Sequence, residues 1–241
     1  MSTAQVDRLG ERLRTGGTIS EADLILLQGF REENVDALRY VQDVVAAALG
    51  DVAQTSRIKT IQTLLDKLRR QSTKLSRVQD IAGIRVVKEM NRLEQDAMVQ
   101  ALVQALPGAK VQDRRATPSY GYRAVHVVAR QGRCSVEIQV RTHRQDLWAQ
   151  IVERLGDRWG RQIRYGGEPD DPERPVGTQT RRGVWHLVLQ LADVINGFEE
   201  LETVTDLPAD SHHREDLLDL MGQIDVALAA LGGWIERSEG L

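Results

Sequence analysis

Apolar residues recur at helical spacing from Arg31 to Leu49, and Gly50 stops the pattern. Ser20, followed by Glu21 and Asp23, marks an earlier helix start. A third helix is predicted over Thr60–Gln71, with Ile61, Leu64, Leu65 and Leu68 on one face and basic residues on the other. The pattern then changes. Ile84–Val87 is a short apolar run rich in β-branched residues and reads as a buried strand, followed by a helix over Asn91–Ala105 that Leu106, Pro107 and Gly108 terminate. Tyr122–Ala129 and Cys134–Val140 have strand character, and the short link carrying Gly132 predicts a hairpin. Helical spacing returns over Arg144–Ile163, a loop rich in Gly, Pro and acid covers Tyr165–Gly177, and two long helices follow, roughly Thr178–Thr203 and His213–Trp234. The resulting class is α/β, with a mixed β-sheet in the middle third and helices before and after it.

Composition narrows the function classes. A hydrophobic content of 41% with 28% charged residues describes an ordinary soluble globular chain, and no apolar run reaches the length of a membrane span. The N-terminus lacks the apolar stretch of a signal peptide, and Cys134 is the only cysteine, so no internal disulfide can form. A cytoplasmic protein with no membrane partner is expected. The net charge of −3 hides an asymmetry. Arg57, Lys59, Lys67, Arg69, Arg70, Lys74 and Arg77 cluster with a single acid, Asp66, whereas Glu168–Glu173 and Glu199–Asp219 hold much of the negative charge. Such a local concentration points to an anionic ligand, either nucleotide phosphates or an RNA backbone.

Three groups of residues carry candidate chemistry. Asp80 lies at the entry to the first strand, with Gly83 beyond it, and reads either as an exposed strand-end acid or as a metal and phosphate ligand. Glu137 shifts the balance. Within Val136–Thr142, the period of two puts Glu137, Gln139 and Arg141 on one side of an otherwise apolar strand, where they face solvent or line a site. Two separated carboxylates are the minimum for holding Mg²⁺ against nucleotide phosphates, because Mg²⁺ keeps several waters and takes few protein ligands. The third group is Thr117–His126, whose Tyr120 and Tyr122 offer a surface for stacking a base, with His126 expected on the same strand face as Tyr122. No Gly-rich loop ending in Lys-Ser or Lys-Thr is present, which excludes a P-loop enzyme. The residues alone therefore suggest metal-dependent phosphoryl transfer on nucleotides.

Taken together, Arg57–Arg70, Asp80–Arg85, Gly121–His126, Glu137–Thr142 and the pair Trp148, Ala149 resemble the synthetase domain of the RelA/SpoT family, the alarmone synthetases. The resemblance covers roughly Arg31–Gly167. It implies a nucleotidyltransferase-like fold divided into an N-terminal helical segment (1–55), a pyrophosphokinase core (56–167) and a C-terminal helical pair (178–241). It also implies roles: Arg57, Lys59, Lys67 and Arg85 on ATP phosphates; Asp80 and Glu137 as catalytic residues and Mg²⁺ ligands; Tyr122, His126, Gln139 and Arg141 around the acceptor. Glu137 would also help to deprotonate the attacking 3′-hydroxyl. There is no His-Asp dipeptide of the kind carried by the family's hydrolase, so a stand-alone synthetase is implied.

The run from Tyr120 to His126 and the form of the chain beyond Trp148 are closer to the toxic small alarmone synthetases. These resemble toxin halves of toxin–antitoxin pairs, and many of them act on the 3′ CCA end of tRNA. On that reading Arg69, Arg70 and Lys74 touch RNA, and an antitoxin protein is a partner. GDP and GTP, or adenosine nucleotides, are the alternative acceptors, and an inactive RNA- or partner-binding module is the alternative from another class. The apolar stripes Val184, Leu187, Leu191, Val194, Ile195 and Leu217, Leu220, Ile224, Leu228, Leu231 pair with each other or offer a surface to an antitoxin or a second copy of the chain.

Overall fold

The computed structural model describes residues 2–15, 19–70, 73–204 and 212–237, and the side chains of Arg70, Val204, residues 212–218 (His212, His213 and Leu217 among them) and residues 235–237 lie outside what is described. Five strands form one mixed sheet in the order β1-β2-β5-β4-β3: β1 Gln54–Ile58, β2 Ala82–Lys88, β3 Lys110–Asp113, β4 Val125–Gln131 and β5 Cys134–Thr142. Helices flank it, as the pattern predicts. β1 runs antiparallel to β2, with Arg57 opposite Gly83 and Thr55 opposite Arg85. Two compact units partition the contacts.

The first unit comprises Met1–Val86, Ala97–Gln112 and His126–Val140. It contains helices α1 (Thr3–Thr15), α2 (Glu21–Leu49) and α3 (Ile61–Arg70) and most of the sheet. Two predicted N-terminal helices are one: α2 runs unbroken for 29 residues from a capping box in which Ser20 and Asp23 exchange hydrogen bonds. Val6, Leu9 and Leu13 of α1 are buried against Phe30, Leu68 and Leu75. Close approach makes this packing work, since a Cβ on Gly10 would stand 2.5 Å from the Leu75 Cβ. β2 and β5 alternate buried and half-exposed positions, so Ile84, Val86, Val136, Ile138 and Val140 form a dry face while Gly83, Arg85, Glu137 and Gln139 stay accessible.

The second unit comprises Val87–Asp96, Asp113–Val125 and Arg141–Leu241. Helix α4 (Arg92–Ala105) is divided between the two units, whereas α5 (His143–Trp159), α6 (Arg181–Val204) and α7 (His212–Arg237) belong to this one. Thr142 caps α5 through a capping box with Gln145. Trp148, Leu155, Trp185, Val188, Ile195 and Leu228 pack into one core that also takes Val184, Leu191, Ile224 and Leu231, whereas Leu187, Val194 and Leu220 of the two apolar stripes are exposed. Among the described residues, no helix is long and apolar enough to cross a membrane.

Candidate active site

The accessible face of the sheet in the first unit gathers the predicted donor-side residues. Asp80 sits two residues before β2, and its carboxylate is clamped by two ammonium groups: Lys67 Nζ at 2.6 Å from Oδ1 and Lys59 Nζ at 3.2 Å from Oδ2. Lys59 enters this position because its backbone N–H donates to the Ile81 carbonyl at 2.8 Å. Lys67 arrives from α3, whose Leu64 and Leu68 are buried and hold the helix in place. Arg57 is exposed on β1, on the same face as Arg85 by the register of the β1–β2 pair. A Cβ at Gly83 would meet only the Glu137 carbonyl oxygen, at 3.7 Å, so the face above it is open.

Glu137 stands on β5, next to β2 in the sheet. His126 Nδ1 lies 3.0 Å from its Oε1, and Gln139 Nε2 donates to its Oε2 at 2.8 Å. Burial opposes the charge on Glu137, but the His126 hydrogen bond and charge outweigh it, with Gln139 and the Lys67 charge adding to them. The carboxyl pKa falls to about 2. Lys67 thus bonds to one carboxylate and acts electrostatically on the other. His126, expected beside the acceptor, is engaged with Glu137 and is 7% exposed.

In the second unit Tyr122 lies outside the strand on which it was expected, because β4 begins only at Val125. Tyr120 and Gly121, with φ of 53° and 85°, form the two central positions of a tight turn closed by reciprocal backbone hydrogen bonds between Ser119 and Tyr122. A Cβ on Gly121 would come within 2.7 Å of the Trp148 ring, so this turn has no room for a side chain there. Arg141 donates to the Tyr122 hydroxyl at 3.1 Å, and its guanidinium carbon is 5.1 Å from the ring centroid. Asp146 receives the other side of the guanidinium at 2.8 Å. Burial disfavours the charge of Arg141, but Tyr122 and Asp146 prevail and raise its pKa. Arg141, expected around the acceptor, is 3% exposed and held between Tyr122 and Asp146. Tyr120 packs over Gly166, where a Cβ would strike its ring at 2.1 Å.

Among the predicted RNA contacts, Arg69 is exposed, and Lys74 is exposed with Asp7 4.0 Å away. The role of Asp146 was missed. Its place in the first turn of α5, five residues after Arg141, is a signal only once the strand-to-helix join is known.

Among the described residues, no group of three or more His, Cys, Asp or Glu side chains is placed to hold a metal ion. Mg²⁺ does not require one, because one or two carboxylates suffice when substrate phosphates and water complete the shell. The all-oxygen pair Asp80 and Glu137 fits that demand.

Residues 56–155 match the family model described as a region found in RelA / SpoT proteins. All the donor-side and acceptor-side residues above lie within it. An uncharacterized protein of Mycobacterium tuberculosis (strain ATCC 25618 / H37Rv) is 36% identical over 180 residues, covering 70% of this chain and 64% of its own length. An uncharacterized protein of Mycobacterium bovis matches to the same extent. The chain thus spans just under two thirds of these relatives. The small alarmone synthetase 1 of Bacillus subtilis shares the fold with a TM-score of 0.52 at 20% identity, over 76% of this chain and 95% of that one. The small alarmone synthetase 2 of the same organism gives a TM-score of 0.50 at 20% identity, over 70% and 91%.

Proposed function

We propose that the RelA/SpoT region transfers the β,γ-pyrophosphate of ATP to a ribose 3′-hydroxyl. The single observation that carries this reading is a pair of acidic centres joined through Lys67, which bonds to the Asp80 carboxylate and acts by its charge on Glu137. Asp80 is bracketed by Lys59 and Lys67, and Glu137 is held ionised by His126. Arg57, Arg85, Lys59 and Lys67 bind the triphosphate and neutralise charge that develops as the phosphoryl group moves. Asp80 and Glu137 hold Mg²⁺, which supplies Lewis-acid polarisation of the phosphates when bound. In the reaction the acceptor 3′-oxygen bonds to the β-phosphorus, the bond from that phosphorus to the α,β-bridging oxygen breaks, AMP leaves, and the hydroxyl proton passes to water. A carboxyl with a pKa near 2 is a weak base. Glu137 therefore orients the hydroxyl by accepting its hydrogen bond rather than carrying its proton away. Tyr122, backed by Arg141, offers a ring face to the acceptor base.

The proposed acceptor is the 3′ end of tRNA, supported by exposed Arg69 and Lys74 beyond the ATP set. This makes the chain a candidate toxin with an antitoxin partner. The net charge of −3 favours a second reading, in which the acceptor is a guanosine or adenosine nucleotide. Purified protein with ATP labelled at the γ-phosphate, offered tRNA or GDP and GTP, separates the two. Label at the tRNA terminus supports the first reading and label confined to nucleotides overturns it. No transfer to any acceptor overturns the pyrophosphokinase reading.

A further inference from the structure

We infer that the first unit contains a second anion site, separate from the ATP set, which takes a small phosphomonoester with an apolar body. A cavity of about 220 Å³ opens between α1, α2, the 3-10 turn Leu75–Arg77 and the start of β5. Its floor is core: Val6, Phe30, Leu75 and Ile81 are all buried. Its mouth is basic, with Arg77, Arg130 and Arg133 in the lining and no carboxylate residue among the lining residues.

The three arginines are not equivalent. Arg133 is tied to Glu33, its Nε donating to Oε2 at 2.5 Å, so its charge is matched. Arg77 and Arg130 are exposed and have no carboxylate partner among the described residues. Two uncompensated guanidinium groups at one mouth match the two charges of a phosphomonoester, and each presents a planar fork suited to phosphate oxygens. The hydroxyl-bearing residues Ser76 and Ser135 also line the cavity. The floor leaves room for an apolar group but not for a drug-sized ligand, which usually needs roughly 300 Å³ or more.

The position couples the cavity to the donor side. Ser135 lies two residues before Glu137 on β5, one step along the same face. Ile81, in the cavity wall, follows Asp80 directly and accepts the backbone hydrogen bond that places Lys59. The cavity thus adjoins the segment that carries Asp80 and Lys59.

The test is calorimetric titration of the full chain with phenyl phosphate, with a non-hydrolysable ATP analogue present at saturation to fill the donor site. One saturable event is expected, tighter than for inorganic phosphate, and weakened by at least about tenfold in R77Q/R130Q. Both substituted residues are exposed, so the variant keeps its fold, which circular dichroism checks. Absence of saturable binding overturns the inference. So does binding that R77Q/R130Q leaves unchanged, or an affinity no tighter than that for inorganic phosphate. None of these outcomes depends on transfer activity, so this inference and the pyrophosphokinase reading fail separately.

Discussion

Replacing His126 by Gln in the wild-type chain, and again in a Glu137→Gln background, isolates the energy with which His126 holds the Glu137 charge. The carboxyl pKa falls from an ordinary 4.5 to about 2 in the folded protein. That difference corresponds to about 3 kcal/mol of preference for the ionised form. Burial works against it. His126 supplies the largest opposing contribution, and Gln139 and Lys67 remain when it is removed. The expected coupling is thus about 2 kcal/mol, within the range of roughly 1.5–3 kcal/mol for a hydrogen bond to a charged group. The folded pKa is depressed, so this stabilisation is complete above 4.5 and is lost as pH falls towards 2. Urea unfolding of the four proteins near neutral pH, repeated at stepwise lower pH, measures the coupling and its decay. A coupling below about 0.5 kcal/mol near neutral pH refutes the reasoning, because two residues in contact with no energetic link would then be mere neighbours.

Three other substitutions test separate parts of the site. Asp80→Asn leaves Lys59 and Lys67 without their carboxylate; pyrophosphate transfer should fall by about 10²–10³-fold or more while urea unfolding shows a folded chain. Tyr122→Phe removes only the hydroxyl that Arg141 contacts, whereas Tyr122→Ala removes the ring; steady-state kinetics should show the acceptor KM rising far more for Ala than for Phe, with the ATP KM unchanged. Gly121→Ala forces a Cβ against Trp148 at a φ of +85°, and thermal unfolding should show a loss of about 2–3 kcal/mol.

Much of the fold was legible because its elements are strongly periodic. The alternation of Val136, Ile138 and Val140 with Glu137 and Gln139 predicted both the strand and its accessible face, and β5 has that pattern. β1 and β3 were not seen, for a physical reason. Both are sheet edges, and Gln54–Ile58 and Lys110–Asp113 are mostly exposed, so neither carries the apolar alternation that reveals a half-buried strand. α1 lies inside the N-terminal helical segment that the resemblance implies, but its own bounds are not legible, because Gly10 and its many charged residues interrupt the helical spacing. Gly10 is there for the close approach of Leu75, which no local pattern reports.

The site was legible in its residues and illegible in its pairings. Asp80 and Glu137 stand out as carboxylates where strands begin or bury themselves, but their partners come from elements the sequence leaves unconnected. Lys67 reaches Asp80 from α3, and His126 reaches Glu137 from a neighbouring strand. These pairings change the chemistry assigned to each group. A carboxylate in a buried strand should be reluctant to ionise, which would suit a general base with a raised pKa. With His126 against it and the Lys67 charge nearby, Glu137 instead stays charged far below neutral pH. A group tuned that way gives up little as a metal ligand and hydrogen-bond acceptor, and much as a base. Arg141 likewise gains partners that its spacing does not reveal: it is buried between Asp146 and Tyr122 and donates to both. Which residue types surround the substrate can be read from spacing; what each does depends on the partner that burial forces upon it.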